Sequence, residues 1–114
     1  MLCEAQGQVY LAVGCTDMRK SINTLSILVE QAMALNPFSG DMFVFCNRNR
    51  TILKILYWQN NGFCLWQKRL EKDRFFWPQM AEDVVRIGRQ ELEWLLAGLD
   101  FARAHRKLRY SAAA

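Results

Sequence analysis

The chain has 114 residues, is 52% hydrophobic and 23% charged, and carries a formal net charge of +4. That balance excludes a disordered polyelectrolyte, and the length suits one domain with one core. No apolar run is long enough to span a bilayer, and the first eight residues hold Glu4 and no basic residue, so neither a membrane span nor a signal peptide is expected and the expected location is cytoplasmic.

The predicted elements begin with a short apolar strand from Val9 to Val13, ended by Gly14. Thr16 then offers a helix N-cap with Asp17 in the first turn, and Met18, Ile22, Leu25, Val29 and Ala32 recur at helical spacing until Asn36-Pro37, a helix of about five turns. Ser39-Gly40 is a turn, Met42 to Cys46 a strand, and Arg48 to Thr51 a basic loop. From Ile52 to Pro78 three strand-like runs follow. Leu53, Ile55 and Tyr57 alternate with Lys54, Leu56 and Trp58, then come Phe63 to Trp66 and Phe75 to Trp77. Asn61-Gly62 supplies a hairpin turn, and Glu71 to Asp73 a polar reversal. Val84 to Ile87 adds a last strand, broken by Gly88. Leu92, Leu95, Leu96 and Leu99 mark a second helix, with Glu91 and Glu93 near its positive end and Arg103 to Lys107 near its negative end. Gly98 weakens that helix and permits a close backbone approach. The pattern predicts a single α+β domain over residues 1–114, an antiparallel meander of about four to six strands with two amphipathic helices packed against it, and flexible ends at 1–8 and 110–114.

The four cysteines form no CxxC pair, and His105 is the single histidine. Cys46 and Cys64 lie in apolar runs and read as core. No glycine-rich phosphate loop occurs, and a lone histidine in a basic tail leaves no triad base. Asp17, at a strand-to-helix junction, is the one carboxylate placed where a metal-assisted nuclease would want it, but a helix N-terminal charge explains it sufficiently and is the favoured reading. No catalytic residue, metal or cofactor is expected.

The charge is unevenly placed. Residues 1–41 carry two basic and four acidic side chains, and residues 80–100 two and five. Residues 42–79 carry seven basic side chains (Arg48, Arg50, Lys54, Lys68, Arg69, Lys72 and Arg74) against Glu71 and Asp73, and the tail adds Arg103, Arg106, Lys107 and Arg109. Such clustering suits a polyanion-binding face, and a merely solvated sheet produces the same counts. Phe43, Phe45, Phe63, Leu65 and Phe76 read as core. Trp58, Trp66 and Trp77 flank basic residues and are predicted to be exposed in part, where they would stack on bases or anchor a partner.

TDMRKS at 16–21, NPFSGDMFVF at 36–45, KILYWQNNGFCLWQKRLEKDRFFWP at 54–78 and ELEWLLAGLDF at 91–101 together closely resemble the small TnpB-type accessory proteins of insertion-sequence-66 family transposable elements, in register from about Val9 to Phe101. The residues that match are Asp17, Met18, Arg19 and Lys20, then Pro37 to Gly40, then Lys54, Trp58, Gly62, Phe63, Leu65, Trp66, Lys68, Arg69, Leu70, Phe75, Trp77 and Pro78. Ser21 and Asp73 stand where the family often has glycine. The resemblance implies a non-enzymatic accessory role in transposition beside an element-encoded DDE transposase. The expected ligands are DNA, held by Arg19, Lys20, Arg48, Arg50, Lys54, Lys68, Arg69, Lys72 and Arg74, and the transposase, held by Trp58, Trp66 and Trp77. The alternative is a protein-interaction module for the transposase with no DNA contact.

Overall fold

The computed structural model describes residues 7–78 and 84–99. In chain order the elements are β1 (Val9–Ala12), α1 (Ile22–Gln31), β2 (Met42–Cys46), β3 (Ile52–Gln59), β4 (Gly62–Arg69), β5 (Val84–Ile87) and α2 (Arg89–Leu96). The strands form one sheet in the order β4-β3-β2-β1-β5, the α+β architecture expected. β2, β3 and β4 are the antiparallel meander, and β5 runs antiparallel to β1. β1 and β2 are parallel, with Val9 opposite Met42, because α1 carries the chain back to the end of the sheet from which β1 started.

Both faces of the sheet are covered, so alternate residues on each strand enter two apolar layers. On one face Leu25, Val29 and Met33, from α1 and its C-terminal turn, pack on Phe43, Phe45 and Leu56. On the other, Leu92 and Leu95 of α2 pack on Leu11, Val44, Leu53 and Ile55, joined by Phe75 and Trp77. β2 is buried at every residue, which accounts for its unbroken apolar run MFVFC.

Several boundaries differ from the sequence expectation. The first helix does not start at Thr16. Residues 13–20 form a loop whose Thr16 N–H donates to the Cys46 carbonyl (2.8 Å), and Ser21 is the N-cap, accepting from the Thr24 N–H at 3.4 Å. The helix has 10 residues, and Met33 is buried where Ala32 is exposed. The β3–β4 turn centres on Asn60-Asn61 rather than Asn61-Gly62, because Asn60 takes the left-handed backbone (φ 57°) that asparagine tolerates, and Gly62 pairs with Gln59. Phe75 to Trp77 is not a strand. Asp73, also left-handed (φ 66°), turns the chain, and the Phe75 N–H donates to the Arg50 carbonyl at 2.7 Å.

α2 starts directly after Gly88, which breaks β5, and ends one turn earlier than Leu99. Glu91 accepts from the Gly88 N–H (3.0 Å) at its start. At its end Gly98 (φ 81°) closes a Schellman motif, its N–H on the Leu95 carbonyl and the Leu99 N–H on that of Trp94. Gly98 is therefore the terminator; a Cβ there would meet nothing within 4 Å, so no close approach requires the glycine. The expected contributions of Arg103 to Lys107, and the expected flexible ends at 1–8 and 110–114, lie outside the described residues, except for Gly7 and Gln8, the latter with its N–H bonded to Asp41.

The sheet's other end is tied by NPFSGD. Asn36 accepts from the Phe38 N–H, and Asp41 accepts from the Ser39 hydroxyl (2.8 Å) and the Gln8 N–H (2.8 Å), fixing the start of β1 against β2. Gly7 sits in this junction, where a Cβ would lie 2.4 Å from the Gly40 carbonyl oxygen and 2.5 Å from Asp41 Cα. Gly7→Ala is expected to lower stability by about 1–3 kcal/mol, read as a fall in the thermal midpoint, because backbone rather than a flexible side chain must yield. A midpoint equal to wild type would show that the junction is loose.

Candidate nucleic-acid interface

The carboxyl ends of the parallel pair β1 and β2 lie side by side, where loops diverge and ligand sites of α/β sheets tend to gather. The loop after β1 (13–21) and the hairpin after β2 (47–51) meet there. Asn47 builds the hairpin: its side-chain amide oxygen accepts from the N–H groups of Thr51 (2.9 Å) and Ile52 (3.1 Å), and its side-chain NH2 donates to the Thr51 hydroxyl. The turn closes with the Arg50 N–H on the Asn47 carbonyl, leaving Arg50 left-handed at φ 60°. Arg48 and Arg50 are thus presented by a hydrogen-bonded turn, and the Arg50 carbonyl in turn anchors Phe75.

Three shallow grooves run together along this end. One, of about 430 Å³, lies between the first loop and α1 and is lined by Asp17, Lys20, Leu28 and Phe45. The next, of about 420 Å³, includes Arg19 and Arg48, and the third, of about 320 Å³, Arg48, Arg50 and Trp77; Cys15 lines all three. Arg50 also borders a further groove with Arg74, Asp73 and Phe76. Lys20, Arg48, Arg50 and Arg74 therefore line a strip of adjoining grooves that share Cys15, Arg48 and Arg50. Among the described residues none of these four side chains makes a hydrogen bond or ion pair.

Other basic residues named from the sequence are occupied or elsewhere. The Lys54 ammonium donates to the Met18 carbonyl (2.6 Å), pinning the 13–20 loop to β3. The Lys68 ammonium donates to the Leu96 carbonyl (2.8 Å), satisfying the negative end of α2. Arg69 pairs with Glu71 at 2.9 Å, and Lys72 lies exposed in the turn that follows. Arg19 clasps Asp17 with two guanidinium nitrogens (2.7 and 3.0 Å) while its N–H donates to the same carboxylate. Those bonds hold the Asp17 carboxyl well below the usual carboxylate range and raise the Arg19 pKa. Asp17 is thus engaged by arginine in the loop rather than lying in the first turn of a helix.

Of the three tryptophans, Trp77 is core, 8% exposed, with its indole N–H on the Gly14 carbonyl (2.9 Å). Trp66 is half-buried on the α2 side. Trp58 is half-buried in a cluster with Phe38 and Phe63, ring centroids 5.0 to 5.2 Å apart, and Phe38 is 56% exposed. This cluster sits at the opposite end of the sheet from the basic strip. Phe76, predicted as core, is 47% exposed beside Arg74 and Arg50. The FFW triplet alternates inward, outward, inward, and the anchoring of Phe75 and Trp77 decides which phenylalanine faces out.

Burial pushes the Cys46 thiol up to about 12 against the opposing charge of Arg50, so it stays protonated at neutral pH. Among the described residues no three His, Cys, Asp or Glu side chains gather as a metal site, and no helix is long and apolar enough to cross a membrane.

A family model described as IS66 Orf2-like protein matches residues 7–106. Two uncharacterized proteins of Sinorhizobium fredii are similar to the chain: y4hO, 37% identical over 94 residues, covering 82% of each chain, and y4jC, 33% identical over 100 residues, covering 88% of this chain and 86% of the relative. No solved structure matches. The match spans both loops of the basic strip and the aromatic end, and the chain belongs to the IS66 Orf2-like family, the transposition-associated accessory proteins of IS66 elements.

Proposed function

We propose that the chain is a non-enzymatic accessory factor of transposition that works in the cytoplasm and binds element DNA along the strip of Lys20, Arg48, Arg50 and Arg74. The observation that carries this reading is that these four cations line neighbouring grooves that share Cys15, Arg48 and Arg50 as lining residues, with no acid pairing them among the described residues, whereas Lys54, Lys68, Arg69 and Arg19 already have partners. Unpaired guanidinium groups on a hydrogen-bonded turn suit phosphate oxygens, which accept from them in pairs. Lys72, next to Arg74, extends the positive field.

Four phosphate contacts make binding salt-dependent, because each releases condensed counterions. The expected slope of log affinity against log salt is about −3 to −4. Fluorescence anisotropy with labelled element-end DNA at increasing salt measures it. Absence of affinity at low salt for both duplex and single-stranded forms would remove the DNA reading.

A second reading has its own observation. The Phe38, Trp58 and Phe63 cluster is a partly exposed aromatic patch remote from the strip, with Phe38 outermost, of the kind that anchors protein partners. It is the surface on which the element-encoded DDE transposase would dock. Co-purification with the transposase that survives nuclease treatment and is lost in Phe38→Ala supports it; a complex abolished by nuclease counts against it.

A further inference from the structure

We propose that the groove beside Arg50 and Arg74 receives an unpaired base stacked on Phe76, so that the strip's preferred ligand is single-stranded or locally opened DNA. This rests on the DNA-binding reading above and adds the class of nucleic acid.

Phe76 is held in an unusual way for an exposed phenylalanine. Its two neighbours are buried: Phe75 is tied by its N–H to the Arg50 carbonyl at 2.7 Å, and Trp77 by its indole to the Gly14 carbonyl at 2.9 Å. The ring between them is therefore presented by a fixed backbone, so ordering it on binding costs little. It faces a groove of about 560 Å³, within the roughly 300–1,000 Å³ of small-ligand sites. Gly98 lines the same groove without a side chain to fill it.

The charges around this groove suit a nucleotide better than a bare phosphate. Arg50 and Arg74 supply the cations for a strand's phosphates, while Asp73 places a carboxylate on the same wall. A carboxylate repels phosphate and accepts from the exocyclic amino group of a base such as cytosine. An aromatic face, flanking guanidinium groups and one acceptor are the elements of a single-strand stacking site. In a duplex, bases are stacked on each other and their faces are closed to Phe76.

The test compares a labelled single-stranded oligonucleotide with its duplex by fluorescence anisotropy at low salt, using the full chain and the Phe76→Ala and Phe76→Tyr variants. Phe76 is exposed, so both variants are expected to keep the wild-type thermal midpoint. The expected result is tighter binding of the single strand, a roughly tenfold or greater loss of that affinity in Phe76→Ala, near-unchanged duplex binding, and recovery in Phe76→Tyr. Single-strand affinity indifferent to Phe76→Ala, or an equal loss on duplex, overturns this inference and leaves the strip's DNA binding standing. No binding of either form by the wild-type chain overturns both.

Discussion

The variant Arg48→Gln, Arg50→Gly, Arg74→Gln is expected to lose roughly a hundredfold in DNA affinity at low salt, and its salt slope is expected to shallow by about 2.7, about 0.9 for each phosphate contact removed. Arg50→Gly makes the experiment discriminating. Arg50 has a left-handed backbone (φ 60°), and glycine adopts that conformation without the cost a side chain carries. The substitution thus removes a charge while relieving local strain, so folding stability should hold even as affinity falls. Arg86→Gln, at the exposed residue of β5 and lining none of these grooves, is the one-charge control for the single variant Arg48→Gln. Affinity that falls as far in the control as in Arg48→Gln would show that net charge, not the strip, binds DNA.

Trp77→Ala is expected to destabilise the protein by about 3–5 kcal/mol, with about 1 kcal/mol more from the Gly14 carbonyl left without its donor. Against a total stability of about 5–15 kcal/mol for a domain, that is enough to leave a substantial unfolded fraction. Urea unfolding measures it, and a midpoint within error of wild type would contradict the burial of the indole. Trp58→Ala, at a half-buried site, should cost less. Any loss of partner binding on changing Trp77 would therefore report lost folding, whereas a loss at Trp58 or Phe38 would report a surface.

Much of this architecture is legible in the residues. β2, β3, β4 and β5 follow from alternation and from unbroken apolar runs, and α2 from leucine spacing with Glu91 positioned to cap it. The helix start was not, because Thr16 and Ser21 are both competent N-caps. The choice is made by distant groups, the Cys46 carbonyl that takes the Thr16 N–H and the Lys54 ammonium that holds Met18. The same long-range capture hides which cations are available: nothing local distinguishes Lys68, bound to the end of α2, from Arg74. Phe75, Phe76 and Trp77 show the limit most clearly. Their alternation is real, but its phase is set by distant anchors, the Phe75 N–H on a carbonyl 25 positions earlier and the Trp77 indole on that of Gly14. The parallel pairing of β1 is implied by a strand, helix, strand order, and it escapes a reading that treats every strand as part of one meander.

The order of the sheet also dictates a schedule for folding. β1 is the first strand synthesised, yet it sits between β2 and β5, and its pairing with β5 joins Val9 to Ile87. The β2–β3–β4 meander can form from local contacts as it emerges, but one side of β1 stays unpaired until nearly the whole chain is available. A nascent or truncated chain ending before Val84 exposes that backbone edge and its apolar neighbours, a state prone to intermolecular strand pairing. Pairing of β5 with β1, rather than collapse of the core, is then the step that completes the sheet.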